Sequence, residues 1–161
     1  MTKRQELEKM YKVIIVEDDP MVAELNRQFI EREETLKFAG VFRNGAEAME
    51  YLRQNSVDLV ILDYYMPVMD GRELITACHK ERLHPDFIMI TAANYADDVS
   101  EIMHLGVVDY LVKPFTAVRF RMAVDRFLER KGRMQTEGQM TQEEIDHVLA
   151  GNTPPDRGEI L

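Results

Sequence analysis

Short apolar runs alternate with amphipathic stretches along most of this chain. The runs at 13–16, 57–62, 87–90 and 107–112 are rich in Val, Ile and Leu and are bounded by turn residues. That is the pattern of buried strands. A less regular run at 36–42 predicts a fifth. Between the runs the period changes to that of helices. Asp19 followed by Pro20 reads as an N-cap with Pro at the first helical position, and the helix behind it is predicted to turn Val22, Leu25 and Phe29 inward. Asn44 caps a second helix with Ala48, Met49 and Leu52 inward. A third helix is predicted over 72–81, after the turn Met69-Asp70-Gly71. A fourth runs over 96–105, with Val99, Ile102 and Met103 inward and Gly106 closing it. The last begins near Thr116 and carries Phe120, Ala123, Val124, Phe127 and Leu128, the i, i+3, i+4, i+7, i+8 stripe of a helix lying on a core. The expected fold is α/β: a doubly wound, five-stranded parallel sheet with helices on both faces and right-handed crossovers.

The strand ends carry the chemistry. The first runs into Glu17-Asp18-Asp19, the third ends at Asp63, the fourth at Thr91 and the last at Lys113-Pro114. In a parallel sheet these groups converge on the carboxyl edge, where open α/β sheets bind their ligands. Clustered carboxylates repel and raise one another's pKa. A hard divalent cation such as Mg²⁺ relieves that repulsion and is held by carboxylates, water and phosphate oxygens. A Thr hydroxyl and a Lys ammonium are donors for phosphoryl oxygens, and an Asp carboxylate can accept a phosphoryl group as nucleophile. Taken singly, each feature is commoner as structure. A strand-end Asp forms turns, Glu17 and Asp18 or Thr91 can cap helices, Lys113 can sit on the surface and Tyr110 can be a half-buried strand residue. Their joint occurrence describes metal-assisted phosphoryl transfer to Asp63.

Over residues 11–131 the chain resembles the receiver domains of two-component response regulators, which have a flavodoxin-like (βα)5 fold. The motifs are Glu17-Asp18 after the first strand, Asp63 followed by Met66-Pro67 and Met69-Asp70-Gly71, Thr91-Ala92, and Tyr110 three residues before Lys113-Pro114. The resemblance implies that Asp63 is the phosphoacceptor and that a sensor histidine kinase is the donor. It implies that Asp18, Asp63 and the backbone carbonyl of Tyr65 hold Mg²⁺, with Glu17 acting through water. Thr91 and Lys113 would bind phosphoryl oxygens, Tyr110 would be the aromatic switch, and the Lys113–Pro114 peptide would be cis. Tyr65 and Ala93 would flank the path of attacking water. A bulky ring and a small side chain there imply slow hydrolysis of the phosphoryl-Asp.

Composition narrows the partners. A net charge of −9 argues against this chain gripping nucleic acid itself. One cysteine, Cys78, permits no internal disulfide and fits a reducing, cytoplasmic setting. It falls beside Leu74 and Ile75, where a buried, inert thiol is expected. No apolar run reaches membrane-spanning length, and residues 1–10 form a charged extension without a signal-peptide core. Arg119, Arg121, Arg126, Arg130, Lys131 and Arg133 mark the outer face of the last helix. They read either as a docking or dimer surface or as a solvated face.

From 132 to 161 the chain turns polar and acidic. Thr141 and Glu144 form a capping box with Met140 and Ile145 as staple, predicting a short helix to Leu149 that stops at Gly151. This linker resembles that of the citrate- and dicarboxylate-sensing branch, whose output is a helix-turn-helix DNA-binding domain. Transcriptional control through a domain outside this chain is therefore expected. A stand-alone relay receiver acting on protein partners is the alternative. A haloacid-dehalogenase-type phosphohydrolase is remote, since it needs a general acid two residues after the nucleophile, where Tyr65 stands.

Overall fold

Strands that are apolar at every position must be covered on both faces, and helices wound to either side meet that demand. The computed structural model describes residues 10–92 and 96–136. The expected tail helix, the extension through residue 9 and Ala93 lie outside the described residues. The elements alternate without exception: β1 (Tyr11–Val16), α1 (Pro20–Glu31), β2 (Leu36–Phe42), α2 (Gly45–Gln54), β3 (Leu59–Asp63), α3 (Gly71–Lys80), β4 (Asp86–Thr91), α4 (Ala96–His104), β5 (Asp109–Val112) and α5 (Ala117–Thr136). All strand pairs are parallel, in the order β2-β1-β3-β4-β5. The chain steps from β1 to one side and returns to its other side as β3. The direction of winding therefore reverses between β1 and β3, and the crevice at such a point is where this architecture places its site.

Side-chain alternation divides the core. Ile14, Val16, Val60, Leu62 and Met89 face α2, α3 and α4 through Met49, Leu74, Ile75 and Ile102. Val13, Ile15, Ile61, Ile88 and Leu111 face α1 and α5 through Ala23, Ile30, Phe120, Val124 and Phe127. Cys78 is fully buried, as expected, and burial pushes its thiol up to about 11. The irregularity foreseen in β2 is a bulge: Val13 pairs with Phe38 and Ile14 with Gly40, leaving Ala39 as the extra residue.

Three expectations need correction. The inward face of α1 is Ala23, Asn26 and Ile30. Leu25 is 55% exposed, whereas Phe29 is half-buried against this core, as expected, and stacks on Phe120 with ring centroids 5.3 Å apart. β5 begins at Asp109 rather than Val107, because Gly106 at φ 81° ends the α4 segment and the chain must still turn. Helix α5 runs on past the expected domain bound at 131, through Gly132 to Thr136. A Cβ on Gly132 would meet nothing within 4 Å, and glycine costs this helical turn about 1 kcal/mol relative to alanine. Finally, much of the basic face of α5 grips its own domain. Arg119 and Arg126 pair with Asp109, Arg121 with Glu33 and Asp125, and Arg130 and Lys131 with Asp86. The side chain of Arg133 lies outside the described residues.

Candidate functional site

Adjacent strands place the first two acids. Glu17 follows β1 directly and Asp63 closes β3, and these strands are hydrogen-bonded neighbours with Val16 opposite Leu62. The α1 cap tightens the first loop: the Asp19 carboxylate accepts from Met21 N–H at 2.9 Å and Val22 N–H at 3.4 Å. Glu17 Oε2 accepts from Asp19 N–H at 3.1 Å. Asp63 Oδ1 accepts from Tyr65 N–H at 3.4 Å. The loop leaving Asp63 is closed by a reciprocal capping box between Asp70 and Glu73 at the start of α3.

Glu17, Asp18 and Asp63 each offer a carboxylate oxygen, all within 4.8 Å of one another. Glu17 and Asp63 are buried at 3% and 7% exposure, while Asp18 is exposed and opens the cluster to solvent. One cation answers them. The Lys113 ammonium donates to Glu17 Oε1 at 3.3 Å and Asp63 Oδ2 at 3.4 Å. Its backbone is fixed by Lys113 N–H donating to Thr91 C=O at 2.9 Å, and the Lys113–Pro114 peptide is cis. Thr91 is fully buried at the end of β4.

The charges are unbalanced. Burial, and then the neighbouring Asp63, raise the Glu17 carboxyl from 4.5 to about 7, against the opposing pull of Asp19 N–H and Lys113. Burial likewise raises Asp63, opposed by Lys113. Burial works against the Lys113 ammonium, but Asp63 and Glu17 outweigh it and raise its pKa. A buried, all-oxygen donor set with too little positive charge fits a hard divalent cation.

Tyr110 is half-buried on β5, beside a cavity of about 450 Å³ lined by Pro114, Phe115, Thr116 and Arg119. Its strand is pinned by a bond the sequence reading missed. Arg119 donates to both oxygens of buried Asp109 at 2.8 and 2.9 Å and to Tyr110 C=O at 3.1 Å. The signal was an Asp inside an apolar run. Tyr64 was also passed over. It is 6% exposed, and its ring stacks on Tyr65 at 4.7 Å. Glu17, Asp18, Asp63, Thr91 and Lys113 thus gather at one sheet edge, Tyr110 lies on the adjoining strand, and Ala93 lies outside the described residues.

A five-stranded parallel sheet with an acidic cluster, Thr and Lys at its carboxyl edge is the architecture of a signal receiver. Residues 13–125 match the model of the response regulator receiver domain, and the chain belongs to that family. It is similar to the "Probable C4-dicarboxylate response regulator DctR" of Bacillus subtilis (strain 168), 36% identical over 88% of this chain and 62% of DctR. It is also similar to the transcriptional regulatory protein DcuR of Escherichia coli (strain K12), 34% identical over 89% of this chain and 61% of DcuR. The chain thus spans about three fifths of the length of these relatives, which lie in the branch that the tail resembled. Among solved structures, the receiver domain of the Francisella response regulator 1452 is 26% identical with a TM-score of 0.68, covering 75% of this chain and 98% of that one. No described helix is long and apolar enough to cross a membrane.

Proposed function

We propose that residues 11–131 form a phosphorylatable switch that takes a phosphoryl group on Asp63 from a sensor histidine kinase. The observation that carries this reading is the reach of Lys113 across the sheet edge to both Asp63 and Glu17, 3.4 and 3.3 Å away. It gathers the donor and acceptor groups of phosphoryl transfer at one point. Asp63 Oδ attacks phosphorus, the bond from phosphorus to the donor's histidine nitrogen breaks, and its electron pair leaves with the imidazole. Asp18, Asp63 and the Tyr65 carbonyl would hold Mg²⁺, with Glu17 acting through water, and the bound ion would supply neutralisation of charge on the transferring group. Lys113 and the Thr91 hydroxyl bind phosphoryl oxygens. Engagement of Thr91 favours the state in which the Tyr110 ring turns inward, so phosphorylation acts as a population shift. Tyr65 screens the phosphoryl-Asp from water and, with Ala93, lengthens its life.

The output is transcriptional, exerted through a DNA-binding domain outside this chain and linked to it by residues 132–161. The names of DcuR and DctR support that reading, as does the net charge of −9, which leaves DNA contact to another domain. The protein works in the cytoplasm, and pairing of two copies is compatible with it. The test is incubation with Mg²⁺ and acetyl phosphate. Wild type takes up one phosphoryl group and Asp63→Asn none. Labelling of the variant at the wild-type rate would remove Asp63 from the role.

A further inference from the structure

The turn between β2 and α2 carries no group of the reaction, yet it braces both arms of the acidic pocket. At its start, Phe42 C=O accepts the N–H of Glu17 at 2.9 Å. At its end, Gly45 N–H donates to Met69 C=O at 3.2 Å. One turn therefore ties the loop of Glu17 and Asp18 to the loop that leaves Asp63 through Tyr65. The second seam is close. A Cβ on Gly45 would lie 2.7 Å from Met69 Cγ, 2.8 Å from Sδ and 3.0 Å from Cβ. Gly45 opens helix α2, where alanine is intrinsically the better residue, so the site calls for glycine only because of space.

The braced loop is itself in a costly shape. Val68 has φ 69°, and Met69 N–H closes onto Pro67 C=O at 2.7 Å. A β-branched residue at positive φ in a three-residue turn is strained. Such a conformation persists only where its surroundings over-determine it. Met69, the residue that closes the turn, is the one Gly45 receives.

We infer that Gly45 is a positioning residue of the acidic site: the side-chain-free approach of α2 to Met69 sets the 64–70 loop, and with it the Tyr65 carbonyl. The inference rests on the proposed Mg²⁺ site, so wild-type Mg²⁺ binding is measured first, by tyrosine fluorescence. Gly45→Ala then weakens Mg²⁺ at least fivefold while leaving the melting temperature unchanged or higher, because alanine favours the helix. Gly45→Ala with Met69→Ala removes the two nearest atoms, Cγ and Sδ, leaving only the 3.0 Å approach to Cβ, and returns the affinity to within twofold of Met69→Ala alone. In the metal-free protein, amide exchange over 65–69 is faster in Gly45→Ala than in wild type. Wild-type affinity in Gly45→Ala, or a loss that the second substitution does not repair, overturns the inference. If wild type binds no Mg²⁺, the proposed function fails instead, and unchanged exchange over 65–69 then overturns the positioning role by itself. Should Gly45→Ala not fold, the double variant must fold and bind like Met69→Ala, and failure there overturns it too.

Discussion

Glu17→Gln is expected to stabilise the metal-free protein at alkaline pH. Glu17 is 3% exposed, and burial lifts its carboxyl from 4.5 to about 7. Between those values the folded protein holds a proton that the unfolded chain has released. Stability therefore falls as pH rises through this window and levels off above it. At about 1.4 kcal/mol per pH unit, ionised Glu17 costs the folded state about 3 kcal/mol. The amide has no proton to lose, so it escapes this cost. The ion pair with Lys113 at 3.3 Å needs no separate subtraction, because Lys113 lowers the Glu17 carboxyl and the rise to about 7 is net of that pull. The variant should exceed wild type by less than about 1 kcal/mol at pH 5, where folded Glu17 is still protonated, and by about 3 kcal/mol at pH 8. Urea unfolding followed by circular dichroism in EDTA, at both pH values, measures this. A difference between variant and wild type that is the same at pH 5 and pH 8 refutes the reasoning. Adding Mg²⁺ at pH 8 narrows the gap, since only wild type keeps the full donor set and ligand binding stabilises by mass action.

Asp18→Ala should weaken Mg²⁺ by more than tenfold, about 1.4 kcal/mol, and an unchanged affinity by titration calorimetry takes Asp18 out of direct contact. Arg119→Ala leaves buried Asp109 with Arg126 at 3.2 Å and the Tyr110 N–H at 2.8 Å, and should cost about 2–3 kcal/mol in urea unfolding; a loss below 0.5 kcal/mol, on the order of an ordinary surface change, contradicts the clamp. Leu25→Ser should stay within about 0.5 kcal/mol of wild type, whereas Ile30→Ala should cost about 2–5 kcal/mol. The reverse order in a thermal melt contradicts the observed facing of α1.

What the sequence determined by itself was the set of elements and the residues at the strand ends. A buried parallel strand must be apolar throughout, so each polar residue that terminates one stands out. Glu17, Asp63, Thr91 and Lys113 were legible for that reason. The capping chemistry of Asp19 and Asn44 is local, and both residues cap in the structure as expected. What the sequence did not determine depends on rotation and distance between elements. Helical periodicity gives a stripe but not its angle to the sheet, and the buried face of α1 is Ala23, Asn26 and Ile30 with Leu25 outward. The basic face of α5 looked available because its partners, Asp86, Asp109 and Glu33, lie on other elements, 10 to 88 positions away in the chain. The Gly45–Met69 seam has no linear signal at all. A glycine after a cap is ordinary in sequence, and only the tertiary approach of α2 to the loop beyond Asp63 makes a missing Cβ matter. Local propensity and periodicity are written residue by residue, whereas ion pairing and steric fit arise only between surfaces that folding brings together.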